Sequence, residues 1–464
     1  TSKDNGCNTI VETDNPPKTE EPQEKIYQGI QWPEVDPADI ERLVVEKVNA
    51  YRIAQGDTAA TMLPGLTEVA RYRANELTTN FEHRGEQHVS TELKYGRYVD
   101  IAPYGMPEES YYKGYSREAI GMGDWPIVAS YQNKGMTDVE YWDLYKIYYD
   151  FLLENRICAY RLPYRLDDGR VADYLNNPRV NSFVINKISD NEAQAHEILK
   201  QHETWLKKGF YYYVDEPTNT GLLNNLAAAG DRLAKTFPGY RQISPFFTNM
   251  NLDGQDKIEF MKSYVNIWCT KPFAFTPRDK AMIAGTQFMT TSAQDAKYGT
   301  FAERMAALAR EGHETWLYVC WEPGQPYANW LALGDGTEPV VSVWQCKMTD
   351  SVGFLYWDCA YWTADPMNDL TPLVGAASHG DGVLLYSGAA IGSYEPISSH
   401  RLENVRMGIQ DYQLLTMLEE LVGAEAADEM VAMVTTDVVT YTSDDDYLKA
   451  VRVLLLEKVA EAMK

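Results

Sequence analysis

From Trp125 to Trp362 the chain alternates short apolar runs with amphipathic stretches, and this rhythm limits its possible folds more than any other feature. The runs begin with IVASY (127–131), ICAYRL (157–162) and VNSFVIN (180–186). FYYYV follows at 210–214, then YRQISPFF (240–247), SYVNIWCT (263–270), ETWLYVCWEP (314–323) and VGFLYWDCAYW (352–362). Each is of strand length and rich in β-branched or aromatic side chains. Helical patterns separate them, notably a Tyr-rich one over 138–154 and others over 190–207 and 219–236. Strands separated by helices pair in parallel, and eight such units predict an α/β chain folded as a (β/α)8 TIM-like barrel. A doubly wound open sheet is the alternative, but no glycine-rich phosphate loop follows the first run.

The flanks read differently. PISSHRLENVRMGIQDYQLLTMLEELVG (396–423) is a long amphipathic helix with Leu402, Val405, Ile409, Tyr412 and Leu415 on one stripe. Two further helices are expected over 424–434 and 444–463, the last packing Leu448, Val451, Leu455 and Val459 against the barrel exterior. Ahead of the barrel, Ile40, Leu43, Val44 and Val48 share one helical face, and Leu66, Val69, Ala70, Ala74 and Leu77 share another. Residues 1–38 are rich in Pro, Glu, Asp, Thr and Asn, which predicts a disordered polar tail. Such a tail is expected to follow a removed export signal or anchor, so the protein is expected to be secreted or at the cell surface. The expected organisation is thus a tail (1–38), a small, mostly helical module (39–123), the barrel (124–422) and C-terminal helices (423–464).

A formal net charge of −25 argues against nucleic acid or an anionic membrane as the partner, whereas a neutral ligand meets no such repulsion. No run of about 18 apolar residues is present, so no transmembrane helix is expected. The six cysteines (7, 158, 269, 320, 346 and 359) are dispersed and form no CxxC. That pattern excludes a zinc ribbon or a dense disulfide scaffold, and the four between 269 and 359 read as buried free thiols. No cofactor is implied.

In a barrel, residues at the C-terminal ends of strands face the active site. The fourth run ends on Asp215 and Glu216, followed by Pro217, which stops the ladder, and by Thr218 or Asn219, which can cap the next helix. The bland reading is that two acids favour a helix N-terminus. The sharper one is glycoside hydrolysis, which needs a protonated carboxyl beside the leaving oxygen and a second group to stabilise an oxocarbenium-like centre. Adjacent strand residues point to opposite faces, but a turn at the strand end can rotate the second toward the first. Trp268, Tyr318, Trp357 and Trp362 end or follow later runs, where the aromatic walls of a sugar pocket belong, though each also suits the core. Asn329 is a candidate for a sugar hydroxyl.

YYYVDEPTN, WLYVCWEPGQPYANWL, GFLYWDCAYW, HGDGVLLYSG and PISSHRLENVRMGIQDYQLL resemble, in that order, glycoside hydrolase family 123, over about residues 125–422. The resemblance implies a barrel-fold β-N-acetylhexosaminidase acting notably on β-linked N-acetylgalactosamine. It further implies substrate assistance, in which the sugar's own 2-acetamido oxygen attacks the anomeric carbon. Asp215 would orient that group and Glu216 would serve as acid and then base. Apart from the resemblance, Tyr318 is a candidate to bond the acetamide oxygen. The partner implied is an oligosaccharide or glycoconjugate. Two departures are visible: YSG stands where YPG is expected, and Met407 or Gln410 stands where an acid is expected. There is also no room for the β-sandwich that usually precedes the barrel.

VNAYRIAQGDTAATMLPGLTEVARYRANELTTNFEHRG with YSREAIG (115–121) resembles the first half of a CAP-superfamily domain. His83 and Glu118 would match the first half of its His/Glu site, but the second half is missing, so 39–123 reads as a truncated, non-catalytic module. His83 with His88 lacks a carboxylate partner for a metal. Two other functions compete with the substrate-assisted enzyme. One is a retaining glycosidase with Glu216 as acid/base and Glu322 as nucleophile, which needs the carboxyls about 5–5.5 Å apart. The other is a non-catalytic carbohydrate-binding surface protein.

Overall fold

The computed structural model describes residues 37–54, 59, 117–247, 250–252, 254–280, 290–362 and 379–464. The chain divides into two units, Thr1–Thr67 and Glu68–Lys464. In the first, helix α1 (Pro37–Ala54) forms where the apolar spacing of Ile40 to Val48 predicts one. The remainder of the expected tail, residues 60–116 of the N-terminal module, Cys7, His83 and His88 lie outside the described residues.

The second unit is mixed α/β with a central parallel sheet and many helices. Its parallel strands are β1 (Arg117–Ile120), β2 (Phe183–Val184), β3 (Gly209–Phe210), β4 (Ile243–Phe246), β5 (Ile267–Thr270), β6 (Glu314–Val319) and β7 (Gly353–Tyr356). β4, β5, β6, β7 and β1 pair in that order, every pair parallel. β2 pairs in parallel with β3. Single parallel bridges extend both groups, Tyr211 with Gln242 and Ala159 with Ile120. The Val184 N–H also donates to the Tyr160 carbonyl at 2.8 Å. Ala119, Val184, Phe210, Ile243, Ile267, Cys269, Trp316, Tyr318 and Leu355 pack into one buried cluster, to which every one of these strands contributes.

Seven of the eight expected runs contain strand or bridge residues, but the first does not. IVASY lies in helix α2 (Asp124–Gln132), with Asp124 and Pro126 in its opening turn. A five-residue apolar run does not distinguish strand from buried helix, and the acid and proline are helix-start signals. The strand is REAI, just upstream, and it carries Glu118 into the sheet. This moves residues 117–123 out of the N-terminal module as drawn. Glu118 is buried there: its N–H donates to Asn181 Oδ1 at 3.1 Å, and Asn181 Nδ2 donates back to its carboxylate. Gly121 continues β1 against the exit of β7, where a Cβ would lie 1.7 Å from the Trp357 carbonyl oxygen. Only glycine permits that approach.

Helices follow the strands: α3 (Tyr141–Glu154), α4 (Thr220–Thr236), α5 (Phe301–Ala309) and α6 (Glu338–Met348). At the C-terminal end α7 (His400–Val422), α8 (Ala424–Val434) and α9 (Asp445–Ala462) match the expected helices within a few residues. Leu402, Val405, Ile409 and Tyr412 of the α7 stripe pack into the main core, whereas Leu415 and the apolar stripes of α8 and α9 are buried with Val340, Val341 and Trp344 of α6 in a second cluster. Inside it Asp411 accepts from Arg452 Nε at 2.6 Å and from Trp344 Nε1 at 3.0 Å, and Gln410 accepts from Arg452 Nη2 at 2.8 Å. Gln410, one of the two positions where an acid was expected, thus binds a buried cation through its amide oxygen. The five described cysteines are free thiols, and all but the half-buried Cys320 are buried. No described helix is long and apolar enough to cross a membrane.

Candidate active site

The acid pair is held between a strand and a helix. After β3, Asn186 extends the pairing by accepting from the Tyr212 N–H at 3.0 Å and donating to the Tyr212 carbonyl at 2.9 Å. Pro217 ends the extended segment, and Asn219 caps α4 by accepting from the Leu222 N–H at 3.0 Å. Between these anchors Glu216 adopts φ 42°, in the left-handed region that non-glycine residues rarely occupy. Such a conformation costs free energy and is held only where the surroundings enforce it. It supplies the rotation at the strand end that lets neighbouring side chains work on one side.

The two carboxyls have different surroundings. Asp215 is exposed and accepts from the hydroxyl of Tyr212 at 2.7 Å. Glu216 is half-buried and accepts from the Tyr318 hydroxyl at 2.6 Å. Burial pushes the Glu216 carboxyl above the usual range, against the pull of the Tyr318 bond; the charges of Asp215 and Glu322 push it further up, while Lys271 opposes them. Raising the pKa of one of two neighbouring carboxyls is how a site obtains an acid and an anion at the same pH.

Lys271 was not foreseen. It directly follows β5 and is buried, with its ammonium 5.1 Å from the Phe247 ring centre, 5.5 Å from Trp321 and 5.6 Å from Tyr318. Its Nζ lies 3.3 Å from Glu322 Oε2, whose carboxylate is 42% exposed. Rings facing a cation compensate part of its lost hydration. The signal in the sequence is a lysine at a strand's C-terminal end, the position already used to select the acids. Tyr212 and Asp381 were also missed. Asp381 is buried and accepts from Trp357 Nε1 at 2.9 Å and from the Tyr356 hydroxyl at 3.3 Å. Burial raises its pKa, against the pull of these donors. It thereby fixes the exit of β7.

Of the expected sugar-binding residues, the structure brings Tyr318 onto an acid and leaves Trp357 at a strand exit. Tyr318 faces the sheet interior and reaches Glu216, and Trp357 stands half-buried at the exit of β7 on Asp381. Trp268 does not belong to this group. Side chains alternate along a strand, and while Ile267 and Cys269 face the shared cluster, Trp268 faces the helix layer. There it stacks on Phe246 and donates to His313 Nδ1 at 3.1 Å. Trp362 is core as well, edge-on to Tyr148 and donating to the Leu385 carbonyl at 2.8 Å. Asn329 is buried, with Nδ2 spent on the carbonyls of Cys320 and Pro323 and Oδ1 on the Trp330 N–H. It braces the loop after β6, and both of its N–H groups are consumed there. Among the described residues no group of three or more His, Cys, Asp or Glu is placed to hold a metal ion.

Residues 261–418 match a family model described as the catalytic domain of glycoside hydrolase 123. Over this stretch the chain is glycoside hydrolase family 123-like. The family-123-like stretch holds β5, β6, β7 and most of α7, with Lys271, Tyr318, Glu322, Trp357 and Asp381. Four of the five motifs that carried the resemblance fall within it, whereas YYYVDEPTN and the acid pair precede it. A solved structure of a family 123 glycoside hydrolase from Clostridium perfringens, from work on glycolipid glycan hydrolysis, aligns at 13% identity with a TM-score of 0.38. The alignment covers 58% of this chain and 42% of that one, so the chain spans less than half the length of that relative. No curated protein matches the chain.

Proposed function

We propose that the protein is a glycoside hydrolase that removes β-linked N-acetylhexosamine, with N-acetylgalactosamine favoured, by substrate-assisted retaining catalysis. The observation that carries the proposal is the pairing of an exposed Asp215 with a half-buried Glu216 whose pKa is raised. In this reading Glu216 protonates the glycosidic oxygen as the sugar's acetamide oxygen attacks the anomeric carbon. An oxazoline forms as the C–O bond breaks, and Asp215 accepts the acetamide N–H so that the nucleophile stays in line. Water deprotonated by Glu216 then opens the oxazoline and returns the β-configured sugar. Because the nucleophile belongs to the substrate, two adjacent acids suffice. In this reading Tyr318 serves Glu216 rather than the acetamide oxygen.

We read the sheet as a closed (β/α)8 barrel. The reading is supported by the unbroken circuit of parallel contacts from β1 through Ala159–Tyr160, β2, β3, β4, β5, β6 and β7 back to β1, and by the single interior cluster. It brings the acids, Lys271, Glu322 and Trp357 to one mouth.

The test is hydrolysis of matched aryl β-glycosides with and without the 2-acetamido group. Turnover confined to the acetamido sugars is expected; equal turnover of the parent glycosides would refute substrate assistance. Tyr318→Phe gives a second readout. The phenol donates to the charged carboxylate, so its loss raises the Glu216 pKa further and keeps the acid protonated to higher pH. The alkaline limb of kcat/KM should therefore move upward; an unmoved limb would detach Tyr318 from the acid.

A further inference from the structure

Three large rings stand exposed at or beyond strand ends of the sheet that carries the acid pair, and neither the core nor the acid chemistry uses them. Trp125, 63% exposed, follows β1; Trp142, 45% exposed, opens α3; Tyr361, 43% exposed, follows β7. β1 lies between β7 and Ala159 in parallel register, so residues 121–125, 160–161 and 357–361 leave the sheet along one edge. Large apolar side chains scattered singly over a surface need no explanation, but rings gathered at a strand-end mouth do.

These rings are supported from below. The Arg161 guanidinium sits 4.8 Å over the Trp142 ring, and its Nη1 donates to Asp124 at 3.0 Å. Tyr361 lies 5.0 Å from Trp357, which Asp381 fixes. Asp358 accepts from the Gly123 N–H at 3.1 Å, tying the exit of β7 to the turn that carries Asp124 and Trp125. The same edge continues to the acids: β2 hydrogen-bonds Tyr160 on one side and pairs with β3 on the other. Burial, with the charges of Asp358 and Asp215, pushes the Tyr160 phenol up, so this phenol lies within electrostatic reach of the acid pair.

Flat rings beside a guanidinium–carboxylate pair fit a neutral sugar, whose C–H faces stack on aromatics and whose hydroxyls need both donors and acceptors. An anionic chain would meet the −25 net charge. We propose that Trp125, Trp142 and Tyr361, with the Arg161–Asp124 pair, form a subsite for the neutral glycan that continues beyond the cleaved sugar. This rests on the glycosidase reading of Asp215 and Glu216.

The experiment compares Trp125→Ala, Trp142→Ala and Tyr361→Ala with the parent on two substrates. One is an aryl N-acetyl-β-galactosaminide, and the other is a neutral trisaccharide ending in β-linked N-acetylgalactosamine. Each ring's loss should lower kcat/KM for the trisaccharide by about tenfold and leave the aryl glycoside within about twofold. An equal loss on both substrates, or none on the trisaccharide, overturns the subsite. If the parent hydrolyses neither, the acid-pair reading fails, and trisaccharide binding by calorimetry decides the subsite separately. Binding that Trp125→Ala weakens supports it; binding that the variant leaves unchanged, or no binding by the parent, overturns it.

Discussion

Replacing Glu216 with Gln is expected to leave the fold intact and lower turnover of a natural glycoside by about 10²-fold or more. The loss should shrink for aryl glycosides whose leaving group departs without a proton. Stability should change in the other direction. The Glu216 pKa is raised in the folded protein, chiefly by burial. A raised folded-state pKa contributes stability that is present below the unfolded-state value, about 4.3, and lost as pH rises through the folded-state value. The amide does not titrate, so the variant should melt at a higher temperature than the parent at pH 7, with the gap closing toward pH 4. Near-normal turnover of a natural glycoside by the variant would remove Glu216 from the chemistry.

The second large effect separates two mechanisms. In the substrate-assisted scheme Asp215→Asn leaves the acetamide unaligned and forfeits much of its proximity advantage, a loss on the order of 10²-fold. Glu322→Ala should then cost binding and the packing of Lys271, which would be left buried without its carboxylate partner. In the two-carboxylate scheme the order reverses, because Glu322 would carry the glycosyl group. Glu322 is engaged by Lys271 at 3.3 Å, and its charge raises the Glu216 pKa, so both carboxyls act on one space. Inhibitors report on the same choice: a thiazoline mimic of the oxazoline should bind tightly, and a 2-fluoro glycoside should leave Glu322 unlabelled. A Glu322 adduct in the mass spectrum would reverse the assignment.

The parallel strands and their helices were legible because both periodicities are strong in this chain, and the C-terminal helices because their stripes are long. The first strand was not. REAI offers four residues, two of them charged, and its burial comes from β7 and Asn181, which no local pattern reveals. The acid pair stood out in the sequence by its place at a strand end, and separate roles for the two acids came only from the family resemblance; the contrast in their surroundings was not legible. That contrast depends on Tyr318, about a hundred residues further on, and on a backbone angle at Glu216 that its side chain does not favour. Trp268 and Trp362 were misplaced for a related reason: a ring near a strand end faces either the interior or the helices, and a shift of one position decides which. Asn329 differs, since it follows β6 by ten residues and its amide is consumed by a loop whose path only the structure gives.

The pairing of β1 with β7 also sets the order in which the sheet can be completed. Residues 117–120 leave the ribosome more than two hundred residues before 353–356, so one edge of the first strand stays open through most of synthesis. Long-range parallel pairing is slow to form and exposes edges to misassembly while it waits. The seam where Gly121 meets the Trp357 carbonyl therefore cannot close until residue 357 has been made, and a chain stalled before residue 353 keeps that seam open however well its earlier helices have formed.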